Sequence, residues 1–146
     1  MDFFEETVMI IKRFRTLPDE ARKLREEVFI KEQGFENEFD ELDSTASHLV
    51  MYDDDKAVAV CRFFYSEDKG CCIIGRVAVS KEYRGQKLGA KIMLEAERLI
   101  KEDGGTRIGV SAQCQAAKFY ESLGYTKASE EYLDEHCPHV FMVKSL

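Results

Sequence analysis

Val77-Ala78-Val79-Ser80-Lys81-Glu82-Tyr83-Arg84-Gly85-Gln86-Lys87-Leu88-Gly89-Ala90-Lys91 is the stretch on which the reading of this chain turns. It passes from an apolar strand-like run through a polar turn into a segment where Leu88, Ile92, Ala96 and Leu99/Ile100 recur at helical spacing. The local order is therefore strand, glycine-bearing loop, helix. A helix start leaves about four backbone N–H groups unpaired and carries about half a positive charge. Gly85 and Gly89 allow close approach to the backbone, and Arg84, Lys87 and Lys91 add full charges. Together these describe an anion site suited to phosphate or pyrophosphate. The plain alternative is a tight strand-to-helix turn that the glycines merely shape. The Walker-type and GxGxxG patterns are both absent, which sets aside a P-loop and a Rossmann dinucleotide site.

Working outward, the helix ends at Asp103-Gly104-Gly105 and a strand over 107–112 follows, so 72–112 reads as a right-handed parallel βαβ unit. Upstream, strands over 48–52, 57–65 and 72–79 are joined by short polar turns, as in antiparallel hairpins. Before them come a strand over 8–14 and an amphipathic helix carrying Leu17, Ala21, Leu24 and Val28. Its signals are Thr16 as N-cap, Pro18 in the first turn and an end near Gly34. Downstream, a helix over 114–123 places Ala116, Phe119/Tyr120 and Leu123 on one side, and strands over 125–133 and 140–144 close the chain. The expected fold is α/β: a central mixed, mostly antiparallel sheet with helices on both faces, in one domain over 1–146.

Composition bounds the function. The 146 residues are 45% hydrophobic and 34% charged, as in an ordinary globular domain. A net charge of −7 argues against a nucleic-acid partner, which needs a broad basic face. Charge is nonetheless uneven. Lys81, Arg84, Lys87 and Lys91 make a local basic patch, suited to one anionic ligand. Glu36, Glu38, Asp40, Glu41 and Asp43 make an acidic run, which reads either as solvated surface or as a field that draws in a cationic amine. Five cysteines without CxxC spacing fit neither a disulfide framework nor a zinc site, and no metal is expected. With no signal-peptide pattern and no apolar run near the ~20 residues of a membrane span, the expected setting is cytoplasmic.

Several segments, in order, resemble the GNAT superfamily of N-acetyltransferases. Val77-Ala78-Val79 followed by Arg84-Gly85-Gln86-Lys87-Leu88-Gly89 resembles that family's cofactor motif, Q/R-x-x-G-x-G/A. Gln113-x-x-Ala116-x-x-Phe119-Tyr120-Glu121-Ser122-Leu123-Gly124-Tyr125 resembles its N-x-x-A-x-x-F-Y-E-x-x-G-F segment. Arg25-x-x-Val28-Phe29-x-x-Glu32-Gln33, Asp40-Glu41-x-Asp43 with His48, and Pro138-His139 are similar to the ElaA/YjcF-like branch, so the resemblance spans nearly the whole chain. Lys87 and Gln113 depart from the commonest residues, but neither change removes a backbone N–H.

The resemblance implies acetyl-CoA as cofactor and acetyl transfer to a primary amine by direct attack in a ternary complex. The diphosphate would lie on the N–H groups of Arg84, Gly85, Gln86, Lys87, Leu88, Gly89 and Ala90. The pantetheine arm would pair with the strand Val77-Ala78-Val79 near Gln113 and Phe119, where a main-chain N–H polarises the thioester. Tyr120 is the candidate general acid; its alternative is half of a Phe-Tyr core pair. Glu32, His48 and His139 all qualify as general base. The acceptor is a small-molecule or peptide amine, and a homodimer through the last strands is compatible with the family. Two other functions stay open: an acyltransferase resembling acyl-homoserine-lactone synthases, and a non-catalytic acetyl-CoA-binding module.

Overall fold

The computed structural model of the chain describes residues 9–146, so Val8, expected to begin the first strand, lies outside the described residues. Chain order is β1 (Met9–Phe14), α1 (Asp19–Arg25) with a π-helical continuation over Glu26–Glu32, a 3-10 turn (Glu41–Ser44), β2 (Ser47–Asp53), β3 (Lys56–Ser66) and β4 (Cys71–Val79). Then follow α2 (Leu88–Glu102), β5 (Arg107–Gln113), α3 (Ala117–Ser122), β6 (Thr126–Lys127), β7 (Tyr132–Asp134) and β8 (Cys137–Ser145).

The strands form one mixed sheet in the order β1-β2-β3-β4-β5-β8-β6, with β7 also paired to β8. Every pairing is antiparallel except β4 with β5. Alternation along the strands loads both faces. Leu49, Met51, Ala59 and Cys61 point to the face covered by α2, whose Leu88, Ile92, Met93, Ala96 and Ile100 are buried. Val50, Val60 and Ala78 point the other way, onto Ala21, Leu24 and Val28 of the first helix. Each fully buried Leu, Ile, Val and Met among them stabilises the fold by about 1.5–3 kcal/mol.

Three details correct the expectations. Thr16 is not the helix N-cap: Pro18 occupies that position, extended at ψ 151° and without a side-chain cap bond. A proline disfavours helical geometry in the residue before it, so Leu17 cannot open the helix. The strand expected over 125–133 is two short strands, β6 and β7, both paired to β8. Between them the polar Ser129 turns its hydroxyl to accept from Phe141 N, which interrupts the ladder. The helix expected from Cys114 starts as a 3-10 turn over Cys114–Ala116.

Within the acidic run Glu36 and Glu41 are exposed, as solvated surface would be, but Glu38, Asp40 and Asp43 are tied into ion pairs. Arg25, 2% exposed, donates to Glu38 at 2.7 Å and to Asp43 at 2.8 Å, and Glu38 is itself 3% exposed. Arg62 donates to Asp40 and Asp43 at 2.6 and 2.8 Å, and Arg76 lies 2.9 Å from Glu38. Three arginines from α1, β3 and β4 thus neutralise three carboxylates of one loop and hold it against the sheet. Burial opposes the charge of Asp43, but hydrogen bonds from Arg25 and Arg62 outweigh it and hold its carboxyl well below the ordinary range. For Glu38 burial prevails and raises the carboxyl.

Removing one partner strands buried charge, so Arg25→Met is expected to cost about 3–5 kcal/mol in urea unfolding. The pH dependence follows from sign. Asp43, depressed in the fold, contributes stability that is full above its unfolded value near 3.9 and lost as pH falls through the folded one. Glu38, raised, contributes stability that is full below its unfolded value and lost as pH rises through the folded one. Asp43→Asn is therefore expected to lower stability at neutral pH and to flatten its decline below pH ~4, read from unfolding midpoints across pH.

Candidate active site

The site is built where β4 leaves β5. The two strands pair in parallel only at Cys72↔Ile108 and Ile73↔Gly109. On its other side β4 carries a bulge: Val60 faces Ala78 but Arg62 faces Gly75, which puts Arg76 and Val77 opposite Cys61 alone. Arg76 takes a left-handed φ of 54° there. Beyond Ile73 the β5-facing backbone edge of β4 is therefore unpaired, and the gap between the strands widens toward Val79.

One cleft opens along that edge. Its walls include Val77, Ala78 and Val79 of β4, Arg84, Gly85, Lys87, Leu88, Gly89 and Ala90 of the loop and α2, and Phe119 of α3. Gln86, exposed, does not line it. Gly85 has φ +85°, and a Cβ placed on it would meet nothing within 4 Å, so it lines a cradle. Lys87 precedes α2 at φ 62° without a side-chain cap, and the first turn of α2 carries no acidic residue. The first intrahelical bond is Lys91 N to Lys87 O, which leaves the N–H groups of Leu88, Gly89 and Ala90 facing out. This is an anion cradle of the kind a diphosphate fits. Arg84 is held elsewhere: its guanidinium makes two 2.9 Å bonds to Glu32, and its Nε donates to Val79 O at 3.1 Å.

A second cavity, of about 260 Å³, adjoins the first. Gln33, Val77, Ala116 and Tyr120 line both, so the two meet at Tyr120. Tyr120 is half-buried, edge-on to Phe119 at 5.0 Å and to Tyr125 at 5.9 Å. Burial, reinforced by the nearby Cys61, pushes its phenol above the ordinary value and keeps it protonated. Gln113 lines the second cavity and donates to Gln33 at 2.7 Å, tying β5 to the end of the first helix.

The three base candidates part company. Glu32 lines neither cavity, and the bonds from Arg84, partly offset by burial, hold its carboxyl below the ordinary range. His48 is buried in β2, its Nε2 2.8 Å from Asp43 O; burial lowers its imidazole, and it lines neither cavity. His139 lies in the second cavity with Tyr120. Sheet register places it opposite Gln113 on one side and Tyr132 on the other. Its Nδ1 is 2.9 Å from Cys137 O, and a carbonyl only accepts, so Nδ1 carries the hydrogen. The neutral ring therefore presents an unprotonated Nε2, 4.0 Å from Asp134.

The sequence reading missed Arg76, Glu38 and Asp134 as walls of the second cavity. Gly75-Arg76 inside an otherwise apolar strand was the available signal, since a glycine within a strand often marks a bulge.

An Acetyltransferase (GNAT) domain profile matches residues 15–146. The chain is 37% identical over 139 residues to the uncharacterized N-acetyltransferase YjcF of Bacillus subtilis (strain 168), covering 93% of this chain and 97% of that one. It is 30% identical to protein ElaA of Escherichia coli (strain K12), covering 85% and 84% of the two chains. The crystal structure of Escherichia coli ElaA superposes with a TM-score of 0.82 at 27% identity, over 94% of this chain and 99% of that one. An acyl-CoA N-acyltransferase from Pseudomonas aeruginosa superposes with a TM-score of 0.80 at 27% identity, over 94% and 98%. The fold is thus that of the acyl-CoA N-acyltransferases, and the protein is an acyltransferase. The chain belongs to the GNAT acetyltransferase family, which uses acetyl-CoA.

Two glycine substitutions separate the loop's backbone requirements. Gly85→Ala forces a side chain into φ +85° and is expected to cost about 1–2 kcal/mol. Gly89→Ala sits in a helix with its new Cβ 3.4 Å from Phe119, and is expected to be neutral or stabilising. Equal losses at both sites in denaturant unfolding would contradict this account of the loop.

Proposed function

We propose that the chain, as a single catalytic domain, is an acetyl-CoA-dependent N-acetyltransferase that acetylates a primary amine by direct attack in a ternary complex. The observation that carries this reading is the meeting of two cavities at Tyr120: the anion cradle of α2 on one side, the pocket of His139 on the other. Bound acetyl-CoA supplies the thioester. The N–H groups of Leu88, Gly89 and Ala90 take its diphosphate, and the unpaired edge at Val77 and Val79 takes the pantetheine arm.

His139 Nε2 accepts one proton from the acceptor's ammonium, directly or through water, and the half-exposed Asp134 stabilises the resulting imidazolium. The amine nitrogen then forms a bond to the thioester carbonyl carbon. A main-chain N–H on the β4 edge meets the charge developing on the carbonyl oxygen. As the carbon–sulfur bond breaks, Tyr120 donates its hydroxyl proton to the departing thiolate, and the second proton lost from the nitrogen as the amide forms returns to the phenolate through water. The balance is one ammonium and one acetyl-CoA consumed, with one amide, one CoA thiol and one proton formed. Arg84 and Glu32 position the loop rather than touch the reacting atoms. A reducing, cytoplasmic setting belongs to this reading, supported by five cysteines that are all free thiols.

Tyr120→Phe is expected to lower kcat by about 10²–10⁴-fold while acetyl-CoA affinity is retained. His139→Asn should lower kcat on the same scale, whereas Glu32→Gln should act mainly on the KM for acetyl-CoA through Arg84. Steady-state kinetics by CoA-thiol release checks all three. Full turnover in Tyr120→Phe would remove the general acid, and loss of kcat in Glu32→Gln alone would move the base.

A further inference from the structure

The pocket beside Tyr120 contains a cation whose donors are not used up. Arg25 employs all three guanidinium nitrogens, on Glu38 and Asp43. Arg62 uses both terminal nitrogens on Asp40 and Asp43, and its buried Nε has no partner among the described residues, but it lines neither cavity. Arg76 differs. Its Nε donates to Glu38 O at 3.1 Å, and its Nη2 lies 3.5 Å from Asp40. Its Nη1 makes no hydrogen bond or ion pair among the described residues, although the side chain is only 25% exposed and lines the cavity.

The backbone that presents it is strained. A left-handed φ of 54° strains a residue with a Cβ, and such strain clusters at ligand sites. The same cavity is also lined by His139 and Asp134. Asp134 is half-exposed and has no partner nearer than the 4.0 Å imidazole among the described residues. Glu135, beside it, is already occupied by the N–H groups of Glu36 and Asn37. One small cavity thus holds a partly open guanidinium together with a carboxylate and an imidazole.

We infer that the acceptor is a small amine that also bears a carboxylate, an amino-acid-like zwitterion, with its carboxylate on the outer edge of Arg76 and its amine toward His139 and Asp134. The inference rests on the acetyltransferase reading and names the acceptor class for it. A guanidinium edge matches a carboxylate with two parallel donors. A polyamine would bring a second cation against Arg76. A volume of about 260 Å³ suits a molecule of amino-acid size. The chemistry is the balanced transfer already written, with the carboxylate a spectator.

The test uses matched pairs with acetyl-CoA and CoA-thiol release: glycine against glycinamide, and β-alanine and 4-aminobutyrate against propylamine and butylamine. The carboxylated members are expected to show kcat/KM about 10- to 100-fold higher, the worth of a charge-assisted pair. In Arg76→Gly, which suits the left-handed φ, and in Arg76→Asn, that preference should collapse, while the thermal shift produced by acetyl-CoA persists and reports an intact fold. Equal rates within the pairs, a preference for the members lacking the carboxylate, no acetylation of any carboxylated amine, or a preference that survives both substitutions would each overturn the proposal. An acetyl-CoA shift in wild-type protein keeps the transferase reading standing in those cases, and its absence would sink that reading first.

Discussion

Two parallel residue pairs join β4 to β5, and the position where that ladder stops governs what the molecule can do. The last pair is Ile73↔Gly109. A Cβ on Gly109 would run into the Phe141 ring and lie 3.0 Å from Ile73, so glycine permits the close approach with which the ladder ends. Past it the bulge at Arg76 turns β4 away, and the strand offers its backbone edge to a ligand instead of a neighbour. The α2 cradle stands at one end of that edge. Tyr120 and His139, carried by α3 and β8, stand near its middle. A closed sheet from the same strands would have neither cavity.

The ion cluster beneath the site is the second constraint. Glu38, Asp40 and Asp43 belong to a loop with little apolar content, yet they are fixed by three arginines from three different elements. Such buried clusters confer little net stability relative to apolar packing, but they tolerate few geometries. Here the cluster borders the second cavity through Glu38 and holds Arg76, which also lines it. The strained backbone of Arg76 is thus held by the same ion pairs that fix the acidic loop.

Legibility in the sequence followed the range of the interactions. The Arg84–Ala90 loop and α2 were readable because helical spacing, glycines and basic residues are local signals. The pairing of β2, β3 and β4 followed from their short connections, and the parallel β4–α2–β5 unit from element order, whereas the place of β1 beside β2 had no local signal. The acidic run was misread because its partners Arg62 and Arg76 lie in distant strands, and nothing local pairs them. The 125–133 segment was read as one strand because the interrupting contact, Ser129 with Phe141, is again long-range. Glu32, His48 and His139 were equivalent as residue types. A carbonyl on Nδ1 and a shared cavity with Tyr120 single out His139, whereas Glu32 is spent on Arg84.

The most direct test of the central claim is thermal unfolding of the purified protein titrated with acetyl-CoA, with NAD and ATP as controls. A ligand that binds only the folded state stabilises it by about 2.7 kcal/mol at one hundred times its dissociation constant. For a domain of this size that is a rise in Tm on the order of several degrees. Acetyl-CoA is expected to give a saturable rise that NAD and ATP do not reproduce. Folded protein whose Tm stays fixed at millimolar acetyl-CoA would contradict it, and would leave the Arg84–Ala90 loop as a tight turn and nothing more.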